Sequence, residues 1–201
     1  MINVGGGDGQ EAEFLLKNGA KAVTIVDISH TQLKNAYTRK QKHHLDNLEC
    51  VKGDAENLLF ADNCFDVGYV FMALHHCPDY SQGIFEICRV SRQVIFVEIM
   101  NPVLTRTLTK LGFFREEGCG VAPNRLNGKR VKKMLINQKL NPVLTYFFAV
   151  PIYTYNPFVI RCLISVFKLS NSLVNRSNGI GLLCGNVAVI TGTPQTADTA
   201  Q

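Results

Sequence analysis

The chain opens on Ile2-Asn3-Val4-Gly5-Gly6-Gly7-Asp8-Gly9, a short apolar run that feeds a glycine cluster and then a helical pattern through Glu11, Phe14, Leu15 and Leu16. Strand, tight turn and helix in that order constrain the fold more than anything else in the sequence. Glycine tolerates positive φ and lacks a Cβ, so the backbone of such a turn can pass within contact distance of a bound molecule. The helix after it offers its unpaired N–H groups to the same molecule. Spacing narrows the ligand. A dinucleotide fold uses G-x-G-x-x-G, which after Gly5 and Gly7 requires glycine at position 10, where the chain has Gln10. The phosphate-binding loop G-x-x-x-x-G-K-[ST] is missing too, because Gly128-Lys129 runs into Arg130.

Beyond the turn the same strand-and-turn pattern recurs. Residues 22–27, Ala-Val-Thr-Ile-Val-Asp, read as a second buried strand ending in an acid. At the carboxyl edge of that strand Asp27 can accept both hydroxyls of a ribose. Leu48 to Lys52 reads as a third strand and runs into the turn Gly53-Asp54-Ala55. A fourth strand, Phe65 to Phe71, exits into Met72-Ala73-Leu74-His75-His76-Cys77, and a fifth, Gln93 to Glu98, comes after a helical stretch around Ile84, Ile87, Cys88 and Val90. Five such repeats imply an α/β fold, a Rossmann-like doubly wound sheet, mostly parallel, with ligands at the strand ends.

These residues, taken in order, resemble a class I S-adenosylmethionine-dependent methyltransferase of the small type 11 branch. Asn3-Val4-Gly5-Gly6-Gly7-Asp8-Gly9 is similar to the family's first motif, an acid followed by x-G-x-G-x-G, and Val26-Asp27 to its ribose-binding acid. Gly53-Asp54-Ala55 resembles the adenine-side turn. Asn63 to Val67 with Ala73-Leu74-His75-His76 resembles the fourth-strand signature, and Val97-Glu98-Ile99-Met100-Asn101-Pro102 the fifth. The resemblance implies about seven strands in the order 3-2-1-4-5-7-6 with strand 7 antiparallel. It also implies S-adenosyl-L-methionine as cofactor. Asn3, Gly5, Gly6, Gly7 and Gly9 would surround its methionine part, Asp27 its ribose, and Asp54 and Ala55 its adenine, with Ile28 and Phe71 completing the site. His75 and His76 would lie beside the transferred methyl as candidate catalytic groups, an imidazole being able to take a proton near neutrality. Two departures stand out. Asn3 occupies the place of the usual acid and brings no charge. The motif also begins at the third residue, so the helices that ordinarily precede the first strand and cover the cofactor are expected to be lacking.

With 201 residues and 46% apolar content, one domain over 1–193 is expected: a cofactor-binding half, 1–100, a substrate-side half, 101–193, and a disordered tail over 194–201. A net charge of +5 permits anionic partners without requiring them. The start lacks a basic region and apolar core of signal type, and seven cysteines, an odd number without a C-x-x-C pair, suit neither a disulfide framework nor a metal site. A reducing cytoplasm is the expected compartment. His43-His44 reads as a solvated pair near a helix end.

In the second half, Asn127 to Leu140 reads as an amphipathic helix, with Val131, Met134 and Leu135 on one face and Lys129, Arg130, Lys132 and Lys133 on the other. No aromatic residue is interleaved with those charges, so a solvated surface is expected in preference to a nucleic-acid patch. Leu144 to Ile152 reads as the sixth strand, Val187 to Gly192 as the seventh, and Phe158 to Leu173 as an apolar helix between them. Prolines at 142, 151 and 157 break up the apolar region from 140 to 169, and no transmembrane segment is expected. The segment from the fifth to the seventh strand holds Tyr146, Phe147, Phe148, Tyr153, Tyr155, Phe158 and Phe167, which suits a small, apolar methyl acceptor. Neither the Asn/Asp-Pro-Pro-Tyr signature of amino methylation nor a Pro-Cys nucleophile is present. Three alternatives stay open: a related protein that binds the cofactor without catalysis, an RNA methyltransferase using the basic helix, and a nicotinamide oxidoreductase, which the glycine spacing disfavours. Oligomeric state is not legible.

Overall fold

The computed structural model describes residues 1–99, 126–147 and 187–195. Within them a single sheet holds β1 (Ile2–Val4), β2 (Val23–Asp27), β3 (Leu48–Lys52), β4 (Phe65–Phe71), β5 (Ser91–Ile99), β6 (Leu140–Phe147) and β7 (Val187–Pro194), in the order β3-β2-β1-β4-β5-β7-β6. The first five strands run parallel, and β7 lies antiparallel between β5 and β6. Helices α1 (Gln10–Lys17), α2 (His30–Lys42), α3 (Tyr80–Val90) and α4 (Gly128–Asn137) cover it. The expected sheet order and the antiparallel seventh strand are both found.

Strand parity divides the core into two layers. On β2, Val23 and Ile25 face α1 and α2 and pack with Ala12, Leu33, Ala36 and Leu48, whereas Val26 faces the opposite layer. That second layer joins Ile2, Val70 and Phe96 to Ile84 and Ile87 of α3 and to Val131 and Leu135 of α4. Each large aliphatic or aromatic side chain so buried contributes about 1.5–3 kcal/mol. Three helices start on side-chain caps: Ser29 accepts from Gln32 N, Asp79 from Ser81 N and Gln82 N, and Asn127 from Lys129 N and Arg130 N. α1 has no such cap; Gly9 precedes it in the left-handed region at φ 83°.

The second half shifts two expected boundaries. The basic helix ends at Asn137, because Lys139, at φ 59°, turns the chain directly into β6. β6 therefore begins at Leu140, four residues ahead of the expected start. Pro142 does not interrupt it, since among the described residues β6 borders only β7 and an edge strand tolerates a missing N–H. β7 runs on to Pro194 opposite Leu140, and Gln195 N donates to Lys139 O, so residues 194 and 195 are tied to the sheet and do not start a tail. The expected helix over 158–173, the end of the expected sixth strand and residues 196–201 lie outside the described residues. No helix among the described residues is long and apolar enough to cross a membrane.

Candidate functional site

The carboxyl ends of β1, β2 and β4 open into a cavity of about 450 Å³. A groove of this size falls in the range of small-molecule sites. Its floor is apolar, with Val4, Val26 and Val70 at the three strand ends, and its rim is polar, with Asp27, Gln32, Asp54 and Glu56. The loop after β4 forms the facing wall.

The glycine turn is held to β2. Gly5 N donates to Val26 O at 2.7 Å, and Gly7 N donates to Asp27 Oδ2 at 2.9 Å. The other carboxylate oxygen accepts from Ser29 N at 2.8 Å, so two backbone amides fix the Asp27 side chain across the mouth of the groove. Each oxygen keeps acceptor capacity for a further donor. Gly7, at φ 52°, would place a Cβ where no protein atom lies within 4 Å, so the turn is open on its cavity side. Behind the turn, Arg39 of α2 clamps it, donating to Asp8 O and Oδ2 and to Glu13 Oε2. Glu13, bonded by Lys17 and Arg39, has its carboxyl pulled down to about 2. Burial alone would raise Asp8, but hydrogen bonds from Gln10 and Arg39 leave it below its ordinary value. His43 Nδ1 lies 3.1 Å from Glu13 Oε1, so this histidine, exposed as expected, also borders the clamp.

One side chain organises the facing wall. Glu98, fully buried at the end of β5, accepts from Ala73 N at 2.8 Å and Leu74 N at 2.7 Å through Oε1, and its Oε2 lies 2.9 Å from His75 Nδ1. Immediately before them Met72, at φ 51°, donates its N–H to Val97 O. A left-handed non-glycine residue costs on the order of 1 kcal/mol and persists only where its surroundings over-determine it. Four successive residues are thus fixed by two residues of β5, and the wall presents Met72, Ala73, Leu74 and His76 to the cavity. Next to them the Cys77 thiol is pushed up to about 12 by burial and by the carboxylates of Glu56 and Asp54, so it is protonated at neutral pH and no nucleophile.

Of the residues singled out in the sequence, Gly5, Gly7, Asp27, Ile28, Asp54, Ala55 and His76 line the cavity. Five do not. His75 is 2% exposed and turned to Glu98, so the second histidine, not the first, faces the groove. Its ring packs on His76 with centroids 4.0 Å apart. Asn3 and Phe71 fall on the wrong parity: Val4 and Val70 face the cavity, and their strand neighbours point away. Asn3 is buried beneath Gly6, and neither of its amide atoms has a hydrogen-bond partner among the described residues. A Cβ on Gly6 would meet Asn3 and Ile25, and one on Gly9 would meet Ile25 and Ala36, so these two glycines serve close packing behind the turn. Sequence reasoning misses Glu98 as a site residue. Its signal is an acid ending an otherwise apolar strand, Val94-Ile95-Phe96-Val97-Glu98.

Comparison with known proteins agrees with this geometry. Residues 2–94 match the family model described as a methyltransferase domain. Over that stretch, a little under half of its length, the chain is similar to a methyltransferase domain. The ubiquinone/menaquinone biosynthesis C-methyltransferase UbiE of Brucella canis is 32% identical over 121 residues, covering 56% of this chain and 45% of that protein. Phthiotriol/phenolphthiotriol dimycocerosates methyltransferase 1 of Mycobacterium ulcerans is 34% identical over 93 residues, 46% of this chain and 33% of that one. The chain therefore spans less than half the length of these curated relatives. In fold the chain is similar to the YcgJ protein of Bacillus subtilis, with a TM-score of 0.70 and 18% identity over 97% of this chain and 92% of that one. S-adenosylmethionine is the cofactor that this likeness implies. The groove fits it: the turn is open at Gly7, Asp27 stands fixed at the mouth, and Asp54 and Ala55 close the far end.

Proposed function

We propose that this chain transfers a methyl group from S-adenosylmethionine to a small, apolar acceptor in the cytosol. The observation that carries the reading is the continuous groove joining the open glycine turn and the fixed Asp27 to the wall that ends in His76. Asp27 would accept ribose hydroxyls, the turn from Gly5 to Gly7 would hold the methionine part, and Asp54 and Ala55 would hold the adenine. When bound, the cofactor supplies a methyl group activated by a sulfonium. Most of the acceleration in such a displacement comes from alignment, so the work of the protein is to hold the acceptor in line and keep water out. Val70, Met72 and Leu74 supply an apolar surface for that purpose, and the loop carrying Met72 and Leu74 is fixed by Glu98. Where the acceptor holds a proton, His76 is the cavity side chain able to take it.

The apolar acceptor is supported by this lining and by the relatives whose names record quinone and dimycocerosate substrates. A second reading, binding without transfer, draws on Asn3, which leaves the turn without the acid expected there. Calorimetric titration with S-adenosylhomocysteine separates the parts. Wild type should bind, and Asp27→Ala should bind more weakly by about 1.5–3 kcal/mol, the scale of hydrogen bonds to a charged group. Unchanged affinity in that variant would remove Asp27 from the site. Labelled cofactor incubated with pools of apolar metabolites, polar metabolites and total RNA then tests transfer; binding with no labelled product in any pool would favour the second reading.

A further inference from the structure

Charge is divided unevenly along this chain. Residues 1–117 hold fifteen Asp or Glu against twelve Lys or Arg, whereas residues 118–197 hold nine Lys or Arg and not one Asp or Glu. Such asymmetry between halves is a mark of contact with an anionic surface. α4 carries four of those nine cations, and their placement is not uniform. Lys129, Lys132, Lys133 and Ile136 fall at i, i+3, i+4 and i+7, so they form one stripe along the helix. All four are exposed, Ile136 by 48%, while Val131 and Leu135 on the other side are fully buried. None of the three lysines has a carboxylate partner among the described residues.

Arg130 fixes where the stripe lies. Its guanidinium carbon stands 5.4 Å from the centroid of the Tyr80 ring, and Nη2 donates to Ser81 Oγ at 3.1 Å. Tyr80 and Ser81 open α3, immediately after the loop that ends the cavity wall at Pro78. The N-terminal end of the basic stripe therefore adjoins the rim of the cofactor groove.

We infer that the exposed stripe of α4 is a docking face for an anionic lipid surface, with the three lysines at the phosphate headgroups and Ile136, one turn beyond them, pressed against the acyl boundary. An aliphatic side chain next to a row of ammonium groups suits a lipid interface, which takes charge at one depth and methyl groups just below it. A nucleic-acid groove would instead set stacking aromatic residues among the cations. The stripe has none. The other face of α4 is committed to the core, so the contact is a surface one, led by charge and weakened by salt. It holds the rim of the groove toward the bilayer, and it does not depend on which molecule accepts the methyl.

Sedimentation of the full chain with vesicles tests it. Vesicles of phosphatidylcholine with phosphatidylserine should retain the protein at low salt, and phosphatidylcholine alone should not. Replacing Lys129, Lys132 and Lys133 together by Gln should weaken retention by about tenfold or more, since each cation near such a surface contributes measurably. Ile136→Ser should weaken it several-fold with no change of charge. Both variants should keep the thermal midpoint and S-adenosylhomocysteine affinity of wild type, which shows that they fold and that the groove is intact. Equal retention on both vesicle types, or wild-type retention of the triple variant, would overturn the inference. So would tighter binding of total RNA than of vesicles, lost in the same triple variant, which would reassign the stripe to nucleic acid.

Discussion

Two glycines in one turn should fail in opposite ways. A Cβ on Gly5 would stand 2.3 Å from the Ala73 Cβ, at a φ of 68°, whereas a Cβ on Gly7, at φ 52°, would meet nothing within 4 Å. The left-handed conformation costs an alanine about 1–2 kcal/mol at either place, and the stiffer unfolded chain offsets about 0.4–1 of it. Gly7→Ala should therefore lose at most about 1.6 kcal/mol of stability. Gly5→Ala adds the overlap with Ala73, which cannot retreat because its N–H is bonded to Glu98, and overpacking of this kind costs about 1–3 kcal/mol more. Ligand binding should rank the variants the other way. The methyl of Gly7→Ala stands in the groove and should weaken S-adenosylhomocysteine by about tenfold or more, a factor worth about 1.4 kcal/mol. Urea midpoints, with the slope unchanged, measure the first effect and calorimetry the second. Adding Ala73→Gly to Gly5→Ala should recover the steric part alone, seen as a coupling of about 0.5–3 kcal/mol between contacting sites. Equal destabilisation by the two single variants, with no coupling to Ala73, would refute the account of the turn.

Three more outcomes are expected of the site. Glu98→Gln keeps the shape but sets an amide N–H₂ against donors from Ala73, Leu74 or His75, and should cost about 1–3 kcal/mol in stability and loosen the wall; a wild-type urea midpoint would show that Glu98 does not organise it. Glu13, held down at about 2 against an ordinary 4.5, contributes stability that is complete above pH 4.5 and is lost as pH falls toward 2; Arg39→Gln should flatten that acid limb, and an unchanged limb would discount the clamp. Cys77, with its thiol raised to about 12, should resist iodoacetamide at pH 8 in the native protein while the exposed Cys64 reacts; mass spectrometry finding Cys77 alkylated first would contradict its environment.

Much of the fold is legible in the sequence because the signals are local. β3 and β4 have the bounds their apolar runs and flanking turns imply, and Asp27 ends its strand beside the glycine turn. The errors have physical causes. Position along the chain puts Asn3 and Phe71 in the site, but the alternation of a strand sends them to the face opposite Val4 and Val70. The role of Glu98 lies out of reach because its partners, Ala73, Leu74 and His75, are brought to it only by the pairing of β4 with β5. His75 and His76 are adjacent and chemically identical, and only that buried carboxylate tells them apart. The start of β6 at Leu140 and not Leu144 depends on its pairing with β7, which nothing in its own neighbourhood reveals.

The position of β7 sets an order of events for a chain emerging from the ribosome. β1 to β5 can pair as each is made, but among the described residues β6 has no neighbour in the sheet except β7. Until residues 187–194 arrive, one edge of β5 stays open along Val94-Ile95-Phe96-Val97, an apolar run of the kind that recruits foreign strands. Closing that gap joins segments far apart in sequence, which is slow compared with the local pairing before it. A chain that folded as it was made would pass through a state in which the first five strands are paired and the sheet is still unsealed. In that interval its solubility rests on whatever shields β5, and the final eight-residue strand works as a latch whose loss would expose a sticky seam in an otherwise finished half-sheet.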